Sequence, residues 1–138
     1  MIVFLDACAL IYRFEGASPF RVATTDLIAQ VTAGQAVVDV VVSRLSVLEC
    51  RVKPLRDGDL ALLKMYDDFF AAIHIVELSA EVVDKANELR VRHGLKTPDA
   101  LQAASALTLP GEAFFVTADV GFARVLGLEV RLIRPITA

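Results

Sequence analysis

The sequence predicts an α/β fold, a three-layer α/β/α sandwich around a central, mainly parallel sheet of about five strands. Three observations carry the prediction. Short, β-branched apolar runs recur along the chain, as in strands buried on both faces. Helical patterns lie between them, an alternation that favours parallel strands joined by right-handed crossovers. The length, 138 residues with 56% hydrophobic and 22% charged, is enough for one domain, 1–138, with a sizeable core.

The elements follow in order. Ile2–Leu5 and Val37–Val42 read as the first two strands. A helix begins near Ser43 and is expected to end at Pro54, because proline lacks the N–H that continues the ladder. A second runs from about Asp59 to Ala72, with Leu60, Leu63, Tyr66 and Phe70 on one face. Ile73–Val76 is a third strand. Ser79 then opens a helix with the apolar stripe Val82, Val83, Ala86 and Leu89, and Gly94 stops it. Glu81/Lys85 and Glu88/Arg92 are spaced for pairing on its surface. Thr97 and Pro98 read as N-cap and first residue of a helix that reaches about Leu107. Ala113–Val116 and Leu128–Ile133 complete the strands.

Composition narrows the function. Mean hydropathy is +0.58, yet the longest uncharged runs, Leu27–Val38 and Ala100–Gly111, are twelve residues. A bilayer span needs about 20. The N-terminus has no basic region and meets Asp6 too early for a secretory signal, so a cytoplasmic protein is expected. Two cysteines make no disulfide framework. The net charge of −3 argues against a generic nucleic-acid coat.

The acidic residues at strand ends carry the chemistry. Ligand sites in open parallel sheets form beyond the carboxyl ends of the strands. Asp6 follows the first strand directly and Asp119 lies just past the fourth. Glu49 sits in the second turn of the helix after the second strand, and Asp99 in the first turn of the helix opened at Thr97-Pro98. Each has a plain structural use. Asp6 and Asp119 suit N-caps, Asp99 suits a helix dipole, and Glu49 suits a solvated face. Gathered together, however, four carboxylates would raise one another's pKa unless a cation sat among them. Hard oxygen donors suit Mg²⁺ or Mn²⁺. Such a site hydrolyses phosphodiesters, the metal binding phosphate and lowering the pKa of a water.

These residues lie in segments that resemble the PIN domain family. Phe4-Leu5-Asp6-Ala7-Cys8-Ala9-Leu10-Ile11-Tyr12 is similar to the family's opening block. Ser43-Arg44-Leu45-Ser46-Val47-Leu48-Glu49 resembles its second, with hydroxyl residues six and three positions before the glutamate. Leu95-Lys96-Thr97-Pro98-Asp99-Ala100-Leu101-Gln102-Ala103-Ala104 resembles the third, and Val116-Thr117-Ala118-Asp119-Val120-Gly121-Phe122 the fourth. The resemblance spans essentially the whole chain, in order. It implies a PIN-like α/β/α sandwich and, among short bacterial or archaeal members, a VapC-type toxin of a toxin–antitoxin pair. The implied activity is metal-dependent endoribonuclease cleavage leaving 5′-phosphate and 3′-hydroxyl ends. Asp6, Glu49 and Asp99 are then the core metal ligands for Mg²⁺ or Mn²⁺, and Asp119 completes the set directly or through a metal-bound water; Thr117 either orients that water or satisfies backbone at the strand end. The implied partners are an RNA substrate, an antitoxin that covers the acidic site, and a second copy in a homodimer. Two positions depart from the family pattern: Ala118 replaces the usual Asn, and Cys8 stands where Asn or Ser is common.

Other residues have competing uses. Cys8 and Cys50 read as small hydrophobes, His74 as a strand residue, and His93 as a helix C-terminal cation. Phe14, Phe69 and Phe70 suit either a core or a partner groove. Arg44, Arg51, Lys53 and Arg56 form either a solvated face or a phosphate track beside Glu49. A haloacid-dehalogenase-like phosphotransferase needs a second aspartate at position 8, and a receiver domain needs a late lysine; both are missing. The remaining alternative is a PIN-like scaffold, weak or inactive in catalysis, that binds RNA or a protein. Charge does not oppose a nuclease: without the four ligands, 13 of the 17 acidic residues remain against 14 basic ones, a balance of +1.

Overall fold

A computed structural model describes residues 1–135. Its five strands are β1 (Ile2–Leu5), β2 (Asp39–Ser43), β3 (His74–Val76), β4 (Ala113–Thr117) and β5 (Glu129–Leu132). They form one sheet in the order β3-β2-β1-β4-β5, and every described pairing is parallel. The carboxyl ends of all strands therefore share one edge. Between them run α1 (Ala7–Glu15), α2 (Phe20–Thr32), α3 (Arg44–Asp57), α4 (Leu60–Ala72), α5 (Ala80–His93) and α6 (Thr97–Leu107), with a 3₁₀ turn at Val120–Arg124.

Side chains alternate across a strand, and β1 shows how that builds two cores. Phe4 faces Val82, Ala86, Leu89 and Ala103 of α5 and α6. Val3 and Leu5 face Leu10, Cys50, Tyr66 and Phe70 of α1, α3 and α4. Phe4 and Phe115 are register partners on adjacent strands, and their rings stack at 5.2 Å and 10°. Both are fully buried, so a sheet covered on both faces explains why its strands read as continuous apolar runs.

Three expectations change. The helix that opens at Ser43 passes through Pro54 and ends at Gly58, whose φ of 66° is left-handed. Proline removes only its own donor; its carbonyl still accepts from Gly58 and Asp59, and its ring is fully buried. Thr97 is itself helical, and Lys96 occupies the N-cap position without a side-chain cap. On α5, Glu88 pairs with Arg92 as expected, but Lys85 pairs with Glu88 in place of Glu81, and Val83 lies outside the buried stripe. The patterning above also misses α1 and α2. Threonine and β-branched residues make α2 a weak helix former, but Thr24 and Thr32 return their hydroxyl protons to Phe20 and Ile28 carbonyls. Leu27, Ile28 and Val31 pack against the α1/α3/α4 core, and that burial outweighs propensity.

The end of α1 is tied to α3 and α4 by one buried group. Tyr66 is fully buried, and its hydroxyl donates to Glu15 Oε2 at 2.5 Å. Lys53 lies 3.5 Å from the other carboxylate oxygen. Burial and Glu15 both push the phenol's pKa up, so it remains a donor. Tyr66→Phe removes the donor and leaves a largely buried carboxylate under-satisfied. The expected loss is about 1–3 kcal/mol in urea unfolding, with no change in the folded circular dichroism spectrum.

Candidate active site

Asp6 is placed by the pairing of β1 with β4. Leu5 is the register partner of Val116, and the Asp6 N–H donates to the Val116 carbonyl at 3.4 Å. The next residue begins α1, so Asp6 also serves as an N-cap, its Oδ1 accepting from Ala9 N–H at 2.9 Å. Its other oxygen accepts from the Thr117 hydroxyl at 2.5 Å. Thr117 is fully buried at the end of β4 and its oxygen accepts in turn from the Asp119 N–H at 3.0 Å. One hydroxyl thus couples two of the acidic residues. Asp119, exposed, caps the 3₁₀ turn through the Gly121 N–H at 2.8 Å. A Cβ at Gly121 would meet Asp119 Oδ1 at 3.1 Å, a close approach that favours glycine.

Glu49 and Asp99 come from α3 and α6. Ser43 caps α3 through the Leu45 N–H at 3.1 Å. The two helices are joined by a buried polar seam: Ser105 gives its proton to the Leu101 carbonyl at 2.7 Å and accepts from the Ser43 hydroxyl at 3.1 Å, and Gln102 Nε2 donates to Ser46 Oγ at 2.9 Å. Alanines at 100, 103 and 104 accompany these polar residues in the packed part of α6. The seam holds the helix bearing Glu49 against the helix bearing Asp99. Gln102 and Ser105 were missed by the sequence reading. Their signal was polarity at i and i+3 within an alanine-rich buried helix.

Electrostatic repulsion links the four carboxylates pairwise. Burial raises Asp6 from the ordinary aspartate value to about 6, although Thr117 and the Ala9 N–H pull it down. Asp119 and Asp99 raise it further by repulsion. Asp99 is raised by desolvation and by Asp119, with Lys96 opposing. Glu49 is reached by solvent, yet neighbouring protein raises its pKa; Gln102 opposes and Asp99 adds to the rise. Asp99 is the common member, felt by both Asp6 and Glu49 and itself feeling Asp119.

The donor set fits a hard divalent cation, because carboxylates that repel one another in a partly desolvated site are stabilised by positive charge. No three His, Cys, Asp or Glu side chains among the described residues converge into a ready-made metal cage. Cysteine takes no part as thiolate: burial raises the Cys8 thiol and pushes Cys50 up to about 12. Ala118, in place of the usual Asn, packs on the α1/α3/α4 core. His74 is exposed at the start of β3, and His93 ends α5. The proposed phosphate track is already paired. Arg44 binds Glu77 (Nε to Oε2, 2.9 Å), Arg51 binds Asp67, Lys53 binds Glu15 and Arg56 binds Asp57.

No helix among the described residues is long and apolar enough to cross a membrane. No curated protein matches the chain. The fold matches solved structures of three toxin–antitoxin systems. VapBC2 from Rickettsia felis, bound to a promoter DNA fragment, aligns at 18% identity and TM-score 0.73, covering 96% of this chain and 98% of that one. A toxin–antitoxin complex from Klebsiella pneumoniae aligns at 19% and 0.73, covering 97% and 99%. VapBC-1 from nontypeable Haemophilus influenzae aligns at 17% and 0.68, covering 96% and 98%. The PIN domain profile matches residues 3–128, which contain all four carboxylates and the strands that present them; the chain belongs to the PIN domain family.

Proposed function

We propose that the chain, as one domain over residues 1–138, is a divalent-metal-dependent endoribonuclease and the toxin of a cytoplasmic toxin–antitoxin pair. The observation that carries this reading is the buried Asp6 at the carboxyl end of β1, joined through the Thr117 hydroxyl to Asp119 within the PIN domain match. A buried carboxylate among others is a poor structural choice and a good cation site. Asp6, Glu49, Asp99 and Asp119 would hold Mg²⁺ or Mn²⁺. When bound, such an ion neutralises phosphate charge and lowers the pKa of a water for attack on the RNA phosphodiester.

The chain's own residues do the rest. Thr117 fixes the Asp6 carboxylate by its hydroxyl proton and fixes the Asp119 backbone by its oxygen, so it acts as a positioning residue. Gln102 and Ser105 hold α6 on α3 and set Glu49 beside Asp99. The likeness to toxin–antitoxin structures supports an antitoxin as partner; a homodimer is what the family resemblance implies.

Purified protein incubated with structured RNAs in Mg²⁺ or Mn²⁺ is expected to cut them, and EDTA to stop cleavage. Asp99→Asn should lower the rate by at least about a hundredfold, the scale of losing one electrostatic stabiliser. Equal background from wild type and Asp99→Asn across several RNAs would leave a binding scaffold as the reading.

A further inference from the structure

Resting on the nuclease reading, we propose that single-stranded RNA enters the acidic centre along the cleft between the start of α6 and the 3₁₀ turn, its phosphates held by Lys96 and Arg124. The cleft has a volume of about 300 Å³ and is lined by Lys96, Asp99, Asp119, Phe122 and Arg124. Two of the four proposed ligands therefore form its wall. Both cations are exposed, and neither has a carboxylate within ion-pair distance among the described residues. The four cations of α3, by contrast, each have one.

The difference is chemical. A cation that binds phosphate must give up its existing partner, so Arg44 and Arg56 would exchange one anion for another. Lys96 and Arg124 would gain an anion outright, beside an acidic wall whose repulsion toward RNA a bound cation removes. Lys96 is also close enough to lower the pKa of Asp99, which places its charge at the centre rather than at its margin. The first turn of α6 carries no side-chain cap, so its backbone donors add positive potential at the same mouth. A larger cleft, about 500 Å³, lies elsewhere, among Ile2, Asp39 and His74 at the amino ends of the strands, away from the carboxylates.

The test is salt-dependent binding of fluorescein-labelled single-stranded oligoadenylate, followed by anisotropy in Ca²⁺ with the RNA checked for integrity on a gel. Each phosphate contact to a single strand contributes about 0.7 to the slope of log affinity against log salt. Lys96→Gln and Arg124→Gln should each weaken binding about five- to tenfold and flatten that slope by about 0.7. Lys96→Arg and Arg124→Lys should bind as wild type, and Arg44→Gln and Arg56→Gln should leave the slope unchanged. A slope that falls with Arg44 and Arg56 but not with Lys96 and Arg124 overturns the proposal, as does an equal fall in all four. Cleavage by wild type with no effect of Lys96→Gln or Arg124→Gln also overturns it and leaves the nuclease reading intact. A wild-type protein that neither binds nor cuts RNA removes both.

Discussion

Asp6→Asn is expected to abolish RNA cleavage while raising the stability of the metal-free protein by about 3 kcal/mol at pH 7. The two effects have one origin. Asp6 is 4% exposed, and burial raises its pKa to about 6 in the fold against 3.8 in the unfolded chain. Below pH 4 the group is protonated in both states and imposes no penalty. Between about pH 4 and 6 the unfolded chain releases its proton first, so stability falls as pH rises. Above pH 6 the full penalty remains, about two pK units at 1.36 kcal/mol each. Asparagine carries no charge to desolvate and keeps one oxygen to cap the Ala9 N–H, while its amide nitrogen donates to the Thr117 oxygen in place of accepting from it. Urea unfolding in EDTA at pH 4 and pH 7 measures the difference: wild type should lose stability between them and the variant should lose less. A variant less stable than wild type at pH 7 would show that Asp6 serves chiefly as a structural cap. Saturating Mg²⁺ should stabilise wild type and not Asp6→Asn, because a ligand bound only to the native state shifts unfolding by mass action.

Thr117→Val carries the second largest expected effect. The substitution keeps the shape of a fully buried side chain and removes both hydrogen bonds that join Asp6 to Asp119. An Asp6 oxygen loses its donor and the Asp119 N–H loses its acceptor, at a cost of about 1–3 kcal/mol. The Thr117 hydroxyl is the main influence holding Asp6 down against burial, so its loss moves the Asp6 pKa above 6. Protons then compete with the cation at higher pH. The acid limb of the kcat/KM profile should shift to higher pH, and more Mg²⁺ should be needed for half-maximal rate. Thr117→Ser keeps the hydroxyl and should restore the profile. A uniform loss of rate at every pH, unrelieved by serine, would mean that Thr117 supports only the end of β4.

Much of this arrangement is legible along the chain because it is encoded locally. Asp6 and Asp119 follow continuous apolar runs, and a strand buried on both faces ends where its apolar run gives way to a charge. Ser43, Ser79 and Gly94 are local stop and start signals, and each caps where the pattern places it. The cap and ligand uses of Asp6 also prove compatible, since one oxygen serves Ala9 and the other faces Thr117. Pro54 misleads because a proline's cost is local while the burial that offsets it is not. For α2 the same holds: Thr24 and Thr32 weaken a helix in isolation, and only the core beneath Leu27 and Val31 decides otherwise.

The sequence by itself determined the alternating α/β class, the parallel sheet and the placing of Asp6, Glu49 and Asp119 toward its carboxyl edge; whether Asp99 joins them depends on how α6 packs. Only the tertiary structure decided how those donors are held. Thr117 meets Asp6 across 111 positions, Ser105 meets Ser43 across 62 and Gln102 meets Ser46 across 56. It also decided which cations are free, pairing Arg44 with Glu77 across 33 residues and leaving Lys96 and Arg124 at the acidic cleft. The reason is physical: period and capping act over a turn or a strand, whereas a hydrogen bond or ion pair depends on which surfaces the packed layers bring together.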